Sequence, residues 1–299
     1  VGETLFVFSK NHEDIDSRQE DDSCVEHHKH LLCDRSIFYA DLESCVDRNK
    51  KHKPLMSGIK RNGKEEKVEI FVGKDCIFDV SNCIKSIMFG VKKKATVHFH
   101  DLKCDFRGLM EPYVPVKRIC EKDGQIYSVD IDDKTTLKDS LKVITAPLVK
   151  FSKMFKLKNK KQESIAHRCY TYENINHAQA SIEDYKKLLS EKDRKKFDEI
   201  FKDENMKREF EHDGKHFNAS KCYKFYLEQD VLTLAEGFEK FNDMFSKLTK
   251  VSAHDHLTIS SLTYRCMLIR GAFNDVVPNK GTIRKFIQRA VRWHGSSEQ

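Results

Sequence analysis

Residues 37–43 read Ile37-Phe38-Tyr39-Ala40-Asp41-Leu42-Glu43. Aromatic and branched residues fill the first half of this stretch, which marks it as a β-strand. Residues two apart on a strand share a face, so Asp41 and Glu43 point the same way. Side by side, two carboxylates repel each other and lose hydration, and a cation between them relieves both problems. An exposed strand face would carry the same pattern without an ion, and the stretch by itself does not choose. It is, however, the only Asp-x-Glu in the chain.

Working outward, residues 9–35 are polar and acidic, then rich in histidine, and read as a loose lead-in. After the first strand, the pattern predicts strands near Leu55–Ile59 and over Lys67–Val72. A helix follows over Ile77–Phe89, ended by Gly90, then a short strand Ala95–His100 and a helix from near Phe106. Strands around Val116–Cys120 and Gln125–Val129 form a hairpin over Asp123-Gly124. From about Leu137 onward the pattern reads as almost wholly helical. Residues 158–215 are charged and low in large apolar residues, and read as a helical surface insertion. Asn218–Leu248 carries a long apolar stripe of Phe225, Leu232, Ala235, Phe238, Phe241, Phe245 and Leu248. Strands first and helices later, with a strand–helix–strand between, imply a mixed α/β sheet flanked by helices and a largely helical C-terminal half.

Composition limits the choices. Of 299 residues 39% are hydrophobic, enough for a core, and 34% are charged. The balance is +7, from 54 Lys+Arg against 47 Asp+Glu, which permits a polyanionic partner without establishing one. Ten cysteines without repeated spacing read as reduced thiols of an intracellular protein. No apolar run approaches the roughly 18 residues of a membrane span. The chain opens on Val1 and soon enters Leu5-Phe6-Val7-Phe8, and is read as a piece of a longer product.

Two further acidic groups extend the first. His100-Asp101-Leu102-Lys103-Cys104-Asp105 follows the strand 95–100 directly, at the strand end where α/β sites gather, although Asp101 or Asp105 could equally cap a helix. Tyr226-Leu227-Glu228-Gln229-Asp230 is the only Tyr-x-x-x-Asp, and its phenol and carboxylate share a helix face. A carboxylate beside an apolar stripe is costly unless something pairs with it.

Taken in order, these segments resemble the Exo I, Exo II and Exo III motifs of family B DNA polymerases, especially the protein-primed branch of viruses, linear plasmids and mobile elements. Phe38–Ser44 resembles the Exo I strand, Phe99–Asp105 the F-H-N-L-K-x-D form of Exo II, and Tyr226–Leu234 the Y-C-x-x-D-V of Exo III. Lys138-Asp139-Ser140-Leu141 resembles the family's D-S-L segment, and Lys150 sits where such polymerases place a lysine near the scissile phosphate. The resemblance runs from about residue 37 to 292. It implies an RNase H-like (DnaQ-type) 3′–5′ exonuclease domain over 36–255, with 158–215 inserted, then a junction over 256–299 toward a polymerase domain that the sequence lacks.

By position, the resemblance implies that Asp41, Glu43, Asp105 and Asp230 hold two Mg²⁺ or Mn²⁺, that Tyr226 orients the attacking water, and that Lys150 offsets charge on the phosphate. Asp101, Lys103, Ser140, Leu141 and Lys153 would contact DNA. The implied partners are the single-stranded 3′ end of a primer, the polymerase domain and a terminal priming protein, with no membrane. Asp101 replaces the usual Asn, and Cys104 stands where an aromatic residue often stacks on a base. Val291-Arg292-Trp293-His294-Gly295 resembles an interrupted Gly-Gly junction, and neither Y-x-D-T-D nor S-L-Y-P follows. This chain alone is therefore not expected to polymerise.

Lys150–Lys161 interleaves six lysines with Phe151, Met154 and Phe155, a ridge suited to phosphates or to solvent. Cys24, His27, His28, His30 and Cys33 look like half of a zinc site. Zn²⁺ on Cys24, His28 and Cys33 would need a further ligand, and no upstream Cys pair supplies one. Three functions stay open at this level: an editing exonuclease, a module that holds single-stranded DNA without cutting it, and a related nuclease acting on RNA.

Overall fold

The computed structural model describes residues 35–46, 51–63, 67–88, 94–159, 161, 165–176 and 179–272. The candidate zinc residues 24–33 and the junction beyond 272 lie outside them.

Strand β1 (Arg35–Val46) is the hub, as its residue pattern requires. Its alternate side chains are apolar on both faces: Phe38, Ala40 and Leu42 enter one core, and Tyr39 and Cys45 the other. A strand buried on both faces belongs in the middle of a sheet. There it pairs antiparallel with β2 (His52–Arg61) and parallel with β4 (Lys94–Phe99). The full seven-stranded order is β3-β2-β1-β4-β7-β6-β5, with β3 at Glu69–Val72, β5 at Arg118–Lys122, β6 at Gln125–Asp130 and β7 at Thr135–Asp139. Strands β1, β4 and β7 run parallel, and β2, β3, β5 and β6 make the sheet mixed. This is the expected mixed α/β sheet flanked by helices. The β5–β6 hairpin turns over Asp123 and Gly124, both at positive φ (52° and 66°), as the sequence predicts.

Helix α1 (Cys76–Met88) covers one face with Cys76, Ile77, Val80, Ile84 and Met88. Helix α2 (Leu102–Asp105) runs on into a π-helical turn, Phe106–Met110. The other face receives α3 (Phe151–Phe155) and a 31-residue helix, α7 (Ala219–Thr249). Between them lie α4 (Ile182–Lys187), α5 (Glu191–Ile200), α6 (Glu204–Glu209) and a small ribbon of β8 (Gln179–Ser181) with β9 (His216–Asn218). Helix α8 (Ile259–Ile269) follows. None of the described helices is long and apolar enough to cross a membrane.

Three expectations need correction. The chain after Leu137 is not simply helical: β7 is a core strand whose Thr135, Leu137, Lys138 and Asp139 are all buried. Residues 158–215 do more than cover a surface, because Tyr170, Ile175, Tyr185, Phe197 and Phe210 are buried there and join the core against α7. Leu248, placed on the apolar stripe with residues that pack on the core, is itself 70% exposed.

Two glycines set how close α7 sits. Gly58 pairs with Asp41, and a Cβ there would lie 3.0 Å from Val231 Cγ2 and 3.1 Å from Leu227 Cγ. A Cβ on Gly237 would lie 2.4 Å from Phe151 Cδ2. Since Phe151 is fully buried, its ring has no open space to retreat into. Gly237→Ala is therefore expected to destabilise the fold by about 1–3 kcal/mol, although alanine is the better helix former. Chemical denaturation of the two proteins measures it.

Candidate metal centre

The central strand and the long helix build this site between them. Asp41 and Glu43 project from β1 toward α7, on the face that holds Tyr39 and Cys45. Asp230 projects back from α7, one turn beyond Tyr226, so phenol and carboxylate share a face as their spacing predicts. Close approach at Gly58 brings the two elements together, and one oxygen from each of Asp41, Glu43 and Asp230 lies within 4.8 Å of the others. Glu43 is 9% exposed and Asp230 1%, whereas Asp41 is half-buried.

Burial, and then the nearby charge of Asp41, push the Glu43 carboxyl up to about 8. Burial likewise raises Asp41, against the pull of Lys161. Asp105, expected as the fourth ligand, stands beside this trio and outside its 4.8 Å circle. It is buried in the last turn of α2, and burial, Asp41 and Glu43 hold its proton well above the usual carboxylate range. The structure thus gathers three of the four carboxylates and sets the fourth alongside.

The lysine at the site is Lys161. Its ammonium pairs with Asp230 and lies 5.2 Å from the ring centre of Tyr226. Burial alone would lower its pKa, but the attraction of Asp230, Tyr226 and Asp41 outweighs burial and keeps the ammonium charged. Lys150, to which the resemblance gave this place, is exposed at the end of the turn Leu148–Lys150 and forms no ion pair among the described residues. The reason is local: Phe151 anchors α3 in the core, so chain leaving that anchor, rather than entering it, passes the carboxylates.

The expected DNA contacts fall into two groups. Lys103 and Lys153 are exposed and Leu141 is half-buried. Ser140 is fully buried, with its hydroxyl 2.9 Å from Nδ1 of His100, so its side chain faces protein rather than solvent. Asp101 adopts a left-handed backbone (φ 77°), a conformation that Asn and Asp both tolerate. Its N–H donates to Asp139, which also accepts from the N–H of Leu141 and so ties the D-S-L segment to the end of β4. Cys104 is exposed and its thiol donates to Asp101.

Three neighbours escaped the sequence reading. Tyr223 donates to Glu43 at 2.9 Å, His167 Nδ1 lies 3.0 Å from the Tyr223 hydroxyl, and Tyr170 stacks on the Tyr223 ring. The i, i+3 spacing of Tyr223 and Tyr226 is the one signal that could have found the first.

A family model described as DNA polymerase type B, organellar and viral, matches residues 87–291. No curated protein matches the chain. Among solved structures, Phi29 DNA polymerase with primer-template DNA aligns at a TM-score of 0.51 and 16% identity, over 87% of this chain and 39% of that one. Its ternary complex with primer-template DNA and incoming nucleotides aligns at 0.49 and 16%, over 87% and 38%. The family B DNA polymerase of the archaeon Pyrobaculum calidifontis aligns at 0.40 and 13%, over 82% and 30%. At such identity the first alignment speaks for the fold alone. This chain spans about two fifths of the Phi29 polymerase. With the family model covering more than half of its length, the chain belongs to the type B DNA polymerases of organelles and viruses.

Proposed function

We propose that this region is a metal-dependent 3′–5′ exonuclease, the editing part of a protein-primed polymerase, removing terminal nucleotides from single-stranded DNA. One observation carries the reading: three carboxylates from elements far apart in sequence converge in a largely buried site. The donor set suits Mg²⁺ or Mn²⁺, since hard carboxylate oxygens predominate and one ammonium faces several carboxylates. Asp41, Glu43 and Asp230 would hold the metal, with Asp105 close by. When bound, a pair of such ions supplies an activated water and steadies the leaving 3′ oxygen.

The remaining work belongs to the chain. Burial and the charge of Asp230 keep the Tyr226 phenol protonated, so it serves as a hydrogen-bond donor to the attacking water. Lys161 takes the role first given to Lys150 and offsets charge that develops on the phosphate. Lys161→Met is expected to slow cleavage by roughly 10²-fold while oligonucleotide affinity changes little. Single-turnover rates set against a binding isotherm separate the two effects. Lys103, Lys153, Leu141 and Asp101 are the proposed contacts to the strand.

A second reading, a module that grips single-stranded DNA without cutting it, rests on the Lys161–Asp230 pair, which already neutralises part of the cluster. A 5′-labelled single strand incubated with Mg²⁺, Mn²⁺ or chelator discriminates. Metal-dependent stepwise shortening from the 3′ end, absent in Asp41→Ala/Glu43→Ala, supports the exonuclease. Binding without shortening by the folded chain favours the second reading and sinks the first.

A further inference from the structure

We infer that Tyr223 is a positioning residue, fixing Glu43 so that it presents one oxygen, not two, to a divalent cation. The inference rests on the metal-dependent reading above. The Tyr223 hydroxyl donates its single proton to Oε2 of Glu43 at 2.9 Å, in a bond buried from solvent. That hydroxyl then bonds His167 only as an acceptor, so the proton between them sits on Nδ1 of His167, 3.0 Å away. His167 Nδ1 also lies 3.8 Å from the same carboxylate oxygen. Oε2 is thus engaged on the protein side, which leaves Oε1 for a ligand.

The tyrosine is itself held rigidly. Its ring is fully buried and stacks on Tyr170 with centroids 4.2 Å apart and planes 26° from parallel. Tyr170 in turn donates to the carbonyl of Ala219 at 3.0 Å and meets the Tyr185 hydroxyl at 2.9 Å. The aromatic core of residues 165–217 thereby braces the one hydroxyl that orients Glu43. Outer partners of this kind set the direction of a metal-binding carboxylate and contribute strongly to affinity. A tyrosine that merely satisfied a polar core group would not need this bracing. Position 223 is also one turn before Tyr226 on the same helix face, so a single rigid helix sets Glu43, Tyr226 and Asp230 relative to one another.

The test is Mn²⁺ binding to the full chain without DNA, followed by electron paramagnetic resonance of the free ion. Tyr223→Phe removes the hydroxyl and keeps the ring. The expected result is a Kd raised by about 10–100-fold, with a parallel rise in the Mg²⁺ concentration needed for half-maximal cleavage and an unchanged KM for the oligonucleotide. An unchanged Mn²⁺ Kd in folded Tyr223→Phe overturns the inference and leaves the exonuclease reading standing. If the unaltered chain binds no more Mn²⁺ than Asp41→Ala/Glu43→Ala does, the metal-dependent reading falls and takes this inference with it. Should Tyr223→Phe fail to fold, the Cζ resonance of Tyr223 in the unaltered chain decides. A shift that saturates with Mg²⁺ supports the inference, and a resonance fixed throughout the titration overturns it.

Discussion

Asp230→Asn is expected to slow 3′ shortening by roughly 10³-fold, close to the upper end of what one preorganised electrostatic group contributes. The substitution keeps shape and packing, so the loss falls on charge. Asp230 is the only carboxylate of the converging trio on α7 and the only one in an ion pair with Lys161. Without its charge, the ammonium is drawn to Asp41, already one of its attractors, and sits among the oxygens that should receive the cation. Single-turnover shortening of a 5′-labelled strand in saturating Mn²⁺ measures the effect, with a melting curve to confirm the fold. A rate within tenfold of the unaltered chain would falsify Asp230 as a metal ligand.

The second expectation concerns stability without divalent ions. Between about pH 6.5 and about pH 8, the melting temperature of the chelated chain should fall as pH rises. Glu43 has a folded pKa of about 8 against an ordinary 4.5, so the folded state binds more protons than the unfolded chain throughout that window. Stability linked to this proton is full below 4.5, is lost progressively as pH rises, and is gone once pH passes the folded value. At about 1.4 kcal/mol per unit at most, the loss over the one unit from pH 7 to pH 8 is roughly 1 kcal/mol. Asp41 and Asp105, raised by burial, act in the same direction. Below pH 6.5 the buried His98 and His100 act in the opposite sense, because burial keeps both neutral in the fold and acid must charge them. Glu43→Gln should flatten the slope above neutrality, and Mg²⁺ should restore stability at pH 8 by binding the folded state. A melting temperature constant from neutrality to pH 8, in chelator, would count against a strained carboxylate cluster.

Much of this was legible in residues 37–43, since strand periodicity alone set Asp41 and Glu43 on one face. The helical spacing from Tyr226 to Asp230 supplied the opposing wall, and Asp123-Gly124 announced its hairpin. What stayed hidden depended on tertiary packing. Strand β7 reads Thr135-Thr136-Leu137-Lys138-Asp139, too polar to advertise a core strand; it is buried because Lys138 reaches the backbone carbonyl of His254 and Asp139 accepts backbone N–H groups. Residues 158–215 are rich in charged residues, and their scattered aromatic residues form a core only once α7 gathers them. Lys161 could not be told from the other lysines of its run, because which one meets the carboxylates depends on where Phe151 is anchored. Charge and composition carried no information on that point.

The dependence of the site on α7 has a consequence for folding. Tyr223 and Glu43 are 180 residues apart in sequence, and Asp41, Glu43 and Asp230 come together only when this helix docks on the finished sheet. Contacts of such long range close at the expense of loop entropy and form late. An opening that lifts α7 would separate the ligands while the sheet's ladder stays paired, and hydrogen exchange would register it as a helix that trades amide protons sooner than β1 and β4. Chemistry would then be lost at temperatures where the sheet still stands.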